Sequence, residues 1–156
     1  MLDGGVAKNS DKRIVVAVDF SKTSKAALQH ALDLASDGGA GVDVIYVIED
    51  AFQATLPWLK QGRDTVKRMR ADAVRAASEK LERFVPRPAG IEVTTTVKTG
   101  EVDEEVLKLA KRKKAILIVL GKVGRRRMDD FFVGSSANDI IRLSPIPLLL
   151  VPVPSD

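Results

Sequence analysis

The sequence predicts an α/β protein with one open, doubly wound, five-stranded parallel sheet in the order 3-2-1-4-5 and helices on both faces. Three observations lead there. Apolar runs of strand length alternate strictly with helical patterns along the chain. The strands are almost continuously apolar, as strands covered on both faces must be. Right-handed crossovers between parallel strands then leave few topologies.

The elements follow in order. Residues 13–19 (RIVVAVD) read as the first strand. Lys22 to Ser36 reads as a helix with Ala27, Leu28, Ala31, Leu34 and Ala35 facing inward and Ser21 as its N-cap. Gly38-Gly39-Ala40-Gly41 stops it. Val42 to Ile48 (VDVIYVI) is the second strand. A connection through Pro57 leads to a long basic helix from about Trp58 to Phe84, which ends before Pro86 and Pro88. Ile91 to Val97 is the third strand. Glu101 to Lys113 is a helix, with Val102, Val106, Leu109 and Ala110 spaced as one apolar face. Ala115 to Leu120 is the fourth strand, Ala137 to Leu143 a short helical pattern, and Pro147 to Val151 the fifth strand. Residues 1–11 are polar, without the apolar segment of a signal peptide, and read as a flexible tail before a single domain over 12–156.

In a sheet of this order the switch point lies between strands one and four, and ligands bind beyond the strand C-termini there. Asp19 ends strand one. Gly121 follows strand four and opens the segment Gly121-x2-Gly124-x9-Gly134-Ser135. Glycine lets backbone amides approach a ligand closely. A helix N-terminus offers free N–H groups and partial positive charge, which suits phosphate. Ser135 and Ser136 add hydroxyls at that end. The same residues, taken alone, would also suit a loop with a serine helix cap. The strand before and the helix after favour phosphate.

Composition bounds the function. The 156 residues are 45% hydrophobic and 29% charged, enough for one domain with a sizeable core. Aromatics make up only 4%, so that core is aliphatic. Cysteine is absent, which excludes disulfides, thiolate metal sites and a cysteine nucleophile, and agrees with a cytoplasmic location. No apolar run is long enough to span a membrane. The net charge of +4 raises the question of nucleic acid. Lys111-Arg112-Lys113-Lys114, however, closes a helix that opens with Glu101, Asp103, Glu104 and Glu105, as the helix dipole favours. Arg125-Arg126-Arg127 lies inside the glycine segment, where it could meet phosphate oxygens or stay solvated beside Asp129 and Asp130. No aromatic residues interleave with either cluster, so a single-strand stacking platform is not expected.

With these residues assembled, the chain resembles the universal stress protein family, in its ATP-binding branch, over Lys12 to Pro152. The resemblance rests on Ile14-Val15-Val16-Ala17-Val18-Asp19-Phe20-Ser21, on Val44-Ile45-Tyr46-Val47-Ile48, on the complete glycine segment and on Pro147-Leu148-Leu149-Leu150-Val151-Pro152. It implies ATP as the ligand, with Mg as a possible companion. Ala17, Val18 and Asp19 would face base and ribose, with Asp19 accepting from a ribose hydroxyl. Val47 would lie against adenine. Leu120, Gly121 and Gly124 would line ribose and phosphates, and Gly134, Ser135 and Ser136 would hold the phosphates. Val123 and Ala137 stand where some relatives carry polar residues. The resemblance also implies a homodimer through the fifth strand, Leu148, Leu149, Leu150 and Val151, an edge strand whose apolar run invites pairing.

The chain has no G-x4-G-K-[ST] phosphate loop, no G-x-G-x-x-G fingerprint and no His/Cys metal cluster. His30, its one histidine, falls mid-helix. The expected function is therefore a nucleotide-dependent regulatory or stress-response protein. The alternative is a slow ATPase or nucleotide-transfer enzyme of a related adenine-binding fold, against which stands the lack of a positioned general base. A nucleic-acid-associated protein is a third reading, carried by the pI near 9.4 alone.

Overall fold

The computed structural model describes residues 11–49, 62–122, 133–152 and 154–155. Five parallel strands form one sheet: β1 (Arg13–Ala17), β2 (Gly41–Glu49), β3 (Val93–Gly100), β4 (Leu117–Gly121) and β5 (Leu148–Val151), in the order β3-β2-β1-β4-β5. Among the described residues four helices connect them: α1 (Lys22–Gly38), α2 (Arg63–Phe84), α3 (Val102–Arg112) and α4 (Ser135–Leu143). The tail over 1–10 and the connection through Pro57 lie outside the described residues.

Strand alternation sorts the core into two layers. Ile14, Val16 and Val18 pack with Val42 and Val44 against Ala27, Leu28, Ala31, Leu32 and Ala35 of α1 and Leu81 of α2. On the other face Val15, Ile45, Val47, Ile118 and Leu120 pack against Val106, Leu109 and Ala110 of α3 and Ile140 of α4. The sheet is thus covered on both sides.

The expected boundaries moved for local reasons. β1 stops at Ala17 rather than Asp19, because the chain turns at Phe20, where φ is +65°. α1 runs on to Gly38 and ends at Gly39, whose φ of +64° is the left-handed cap that glycine supplies without strain. Ser21 caps its start, accepting from the Ser24 amide. Leu34, expected inward, is exposed, and Leu32 is buried in its place. The two lie on opposite flanks of the helix's apolar stripe, and the sheet covers the Leu32 flank, one turn on from Leu28. The described part of the long helix begins at Arg63, residues 58–61 being outside the description, and it ends at Val85 ahead of Pro86. β3 begins two residues late and runs to Gly100. α4 starts at Ser135, two residues earlier than its pattern suggested, with Gly134 as N-cap instead of a serine.

At the N-terminal end of the sheet a charge is buried. Asp43 of β2 is fully enclosed. Arg13 of β1 holds it by two hydrogen bonds, from Nε at 2.8 Å and from a terminal nitrogen at 2.9 Å. The Thr94 hydroxyl donates to the same carboxylate, and Lys113 Nζ stands 3.3 Å away. The second terminal nitrogen of Arg13 pairs with Glu92 at 3.0 Å. Burial pushes the Asp43 carboxyl up, but the hydrogen bonds from Arg13 and Thr94 and the charges of Arg13 and Lys113 outweigh it and hold the group below its ordinary value. Gly41 makes room for this arrangement: a Cβ there would stand 2.1 Å from the Arg13 guanidinium.

Candidate functional site

The strand order reverses between β1 and β4, so their C-terminal ends open the crevice where this class of sheet binds ligands. The last residues paired between them are Val16 and Val119. Three residues beyond each stand Asp19 and Lys122, the first on the connection to α1 and the second at the mouth of the glycine segment.

Asp19 is fixed at both its ends. Its carboxylate accepts from the Ser21 amide at 3.0 Å, and its own amide donates to the Ser24 hydroxyl at 3.2 Å. Ser24 in turn donates to the Ser21 carbonyl at 3.1 Å. The turn is therefore built by the same serines that cap α1. A carboxylate accepts in several directions, so the bond from Ser21 is compatible with further contacts at Asp19.

Gly121 owes its lack of a side chain to packing. A Cβ there would lie 2.8 Å from Cγ2 of Thr23 and 3.3 Å from its carbonyl carbon. The first turn of α1 thus sits directly on the end of β4. The expectation that this glycine serves ligand approach has a second, sufficient reason inside the fold.

The glycine segment is closed at its base. The Lys122 amide donates to the Val151 carbonyl at 2.7 Å, which ties the end of β4 to the end of β5. The Gly134 amide then donates to the Lys122 carbonyl at 3.1 Å. This brings the start of α4 back to the end of β4. The first intrahelical bond is Asn138 to Gly134 at 2.9 Å, so the amides of Ser135, Ser136 and Ala137 precede the helical ladder. Gly134 has no side chain with which to cap them. Gly124, Val123, Arg125 to Arg127, Asp129 and Asp130 lie outside the described residues.

Side-chain direction divides the expected residues. Ala17, Val47 and Leu120 share one face of the sheet, together with Ala137 of α4. Val18 belongs to the opposite face, in the α1 layer, and its amide donates to the Ile45 carbonyl of β2 at 2.9 Å. Val47 and Leu120 are themselves core residues, 7% and 3% exposed. Ser135 is exposed and Ser136 half-buried. Among the described residues, no group of three or more His, Cys, Asp or Glu side chains is placed to hold a metal ion. His30 is exposed on α1.

Comparison with known proteins decides the family. The profile of the universal stress protein family matches residues 11–152, nearly the whole chain. The chain belongs to the universal stress protein family. A universal stress protein of Methanocaldococcus jannaschii is 28% identical over 147 residues, which cover 94% of this chain and 85% of that protein. Among solved structures, a universal stress protein of Lactobacillus plantarum superposes with a TM-score of 0.69 at 23% identity, over 92% of this chain and 99% of that one. A universal stress protein of Archaeoglobus fulgidus, solved in complex with dAMP, gives a TM-score of 0.55 at 20% identity, over 90% and 97% of the two chains. These structural likenesses agree with the strand order and the helical layers seen here.

Within this member of the family, three residues of the site region carry no local signal in the sequence. Thr23 sits in a helical pattern, although its contact sets the Gly121 side of the crevice. Lys122 stands between two glycines, and its amide and carbonyl tie β5 and α4 to the end of β4. Phe20 belongs to the opening strand motif, and its positive φ has no signature there. Asp43, at the other end of the sheet, did carry one: a charge inside the apolar run VDVIYVI implies a buried partner.

Proposed function

We propose that the chain binds an adenine nucleotide, ATP in particular, at the C-terminal ends of β1 and β4 and uses it to govern a regulatory, stress-response role. The observation that carries this reading is the hydrogen bond from Gly134 to Lys122, which sets the N-terminus of α4 beside the switch point. First-turn amides and the positive end of the helix dipole suit phosphate there. Ala17, Val47 and Leu120 supply an apolar face suited to a base, and Asp19 an acceptor suited to a ribose hydroxyl. Gly124, with Gly134, Ser135 and Ser136, would complete the phosphate side, and Mg would accompany the phosphates. The relative solved with dAMP adds support for the ligand class.

Two measurements test it. Heat-denatured, freshly purified protein should release adenine nucleotide detectable by chromatography, and nucleotide-free protein should bind ATP in titration calorimetry more tightly than NAD or flavin. No heat of binding with ATP would overturn the proposal. Turnover of bound ATP should be slow, since phosphate positioning without a general base lowers the barrier only in part. A steady rate near 10 per second, roughly the typical enzyme value, would favour the enzyme instead.

The proposal includes a homodimer through β5. Among the described residues this strand ends the sheet, pairs only with β4, and carries Leu148, Leu149, Leu150 and Val151. An apolar edge strand stands open to a second copy, and a self-complementary contact closes at two subunits.

A further inference from the structure

Phe20 adopts a conformation that its type avoids. Its φ is +65°, and Lys114 is the one other non-glycine residue with positive φ among those described. A bulky residue stays in the left-handed region only where its surroundings over-determine it. Here the surroundings are visible. The Phe20 ring lies 4.6 Å from that of Tyr46 on β2, tilted by 53°. It meets the Phe84 ring of α2 edge-on at 5.3 Å, with an interplanar angle of 88°. Lys80 Nζ, also on α2, sits 4.2 Å from its centroid. Three groups from two elements therefore grip one ring.

The backbone consequence falls on Asp19. Its carboxylate reaches over Phe20 to the Ser21 amide at 3.0 Å, so the backbone conformation of Phe20 sets the direction in which that carboxylate is held. The amide of Asp19 is held separately by Ser24. The ring contacts and the carboxylate orientation are thus two ends of one residue's conformation.

We propose that Phe20 is a positioning residue for the nucleotide site: its ring, clamped by Tyr46, Phe84 and Lys80, holds the left-handed turn that aims the Asp19 carboxylate at a ribose hydroxyl. This rests on the proposed ATP reading and adds to it a determinant of sugar recognition lying outside the crevice. Ring-filling of the α1 layer alone would affect stability and leave sugar preference unchanged, so preference is the quantity to measure.

The test compares ATP with 2′,3′-dideoxy-ATP by titration calorimetry. In the unsubstituted protein, ATP should bind about tenfold more tightly, the size expected of one charge-assisted hydrogen bond. Phe20→Gly keeps the positive φ accessible but frees the turn, and should bring the two ligands to within about twofold. Phe20→Tyr keeps the ring and should retain the preference. Phe84→Ala removes one jaw of the clamp without touching the turn and should erode the preference in the same direction. Adding Phe20→Gly to Asp19→Ala should change the ratio no further, since both act through one bond. Failure of the unsubstituted protein to bind ATP overturns this proposal and the nucleotide reading together. Binding with a clear ATP preference that survives both Phe20→Gly and Phe84→Ala overturns this proposal alone.

Discussion

The Gly134 amide donates to the Lys122 carbonyl at 3.1 Å, across the whole span of the glycine segment. Lys122 is itself tied through its amide to Val151, so β4, β5 and the start of α4 meet at one residue. The start of α4 is thereby held at the end of β4.

Filling that junction should separate binding from folding. The backbone at Gly134, φ −56° and ψ 150°, is open to any residue. We expect Gly134→Val to lower ATP affinity at least about tenfold while shifting Tm by less than about 4 °C, or roughly 1 kcal/mol. Calorimetric affinity unchanged in this variant would remove Gly134 from the site.

Gly121 should behave in the opposite way. Gly121→Ala places a methyl 2.8 Å from Cγ2 of Thr23, and such overpacking typically costs about 1–3 kcal/mol. Urea denaturation should show the loss. Thr23→Ser in the same chain removes Cγ2 and should recover part of it, though the Thr23 carbonyl carbon at 3.3 Å remains tight. A fully stable single variant would mean that α1 yields easily at its first turn.

Asp43 is the position where one substitution should harm stability most. Asp43→Ala leaves Arg13 buried with only the half-exposed Glu92 as counter-charge. Breaking a buried pair this way costs about 3–5 kcal/mol. Chemical denaturation at neutral pH, compared with the unsubstituted chain, measures it. A cost under about 1 kcal/mol would show that Glu92 suffices to hold Arg13.

The same group gives stability a pH dependence of known sign. The carboxyl of Asp43 is held below its ordinary value in the folded state, whereas the unfolded chain titrates near the usual value of about 3.9. The unfolded state therefore takes up protons first as pH falls. The contribution is full above that ordinary value and is lost as pH falls through the lower, folded one. Acid denaturation of Asp43→Asn should be shallower than that of the parent chain below about pH 4. Parallel curves would place the acid-sensitive group elsewhere.

The β5 edge makes its own prediction. Light scattering at micromolar concentration should give a dimer mass, and Leu150→Pro, which removes an amide facing away from β4, should give a monomer. A monomeric parent would refute the dimer. A dimer that tolerates the proline would move the interface away from β5.

By itself the sequence determined the element order, the parallel sheet and the position of the glycine segment, because periodicity and glycine placement are local properties of the chain. What only the tertiary structure decided lies in contacts between residues far apart. Leu32 rather than Leu34 is inside, because the sheet chooses which flank of α1 it covers. Thr23 explains Gly121, Val18 faces away from Ala17 and Val47, and Phe20 turns left-handed under rings from β2 and α2. None of these has a signature within one window of sequence. Each depends on which surfaces the fold brings together, and packing energy at such contacts outweighs the local preferences from which a sequence is read.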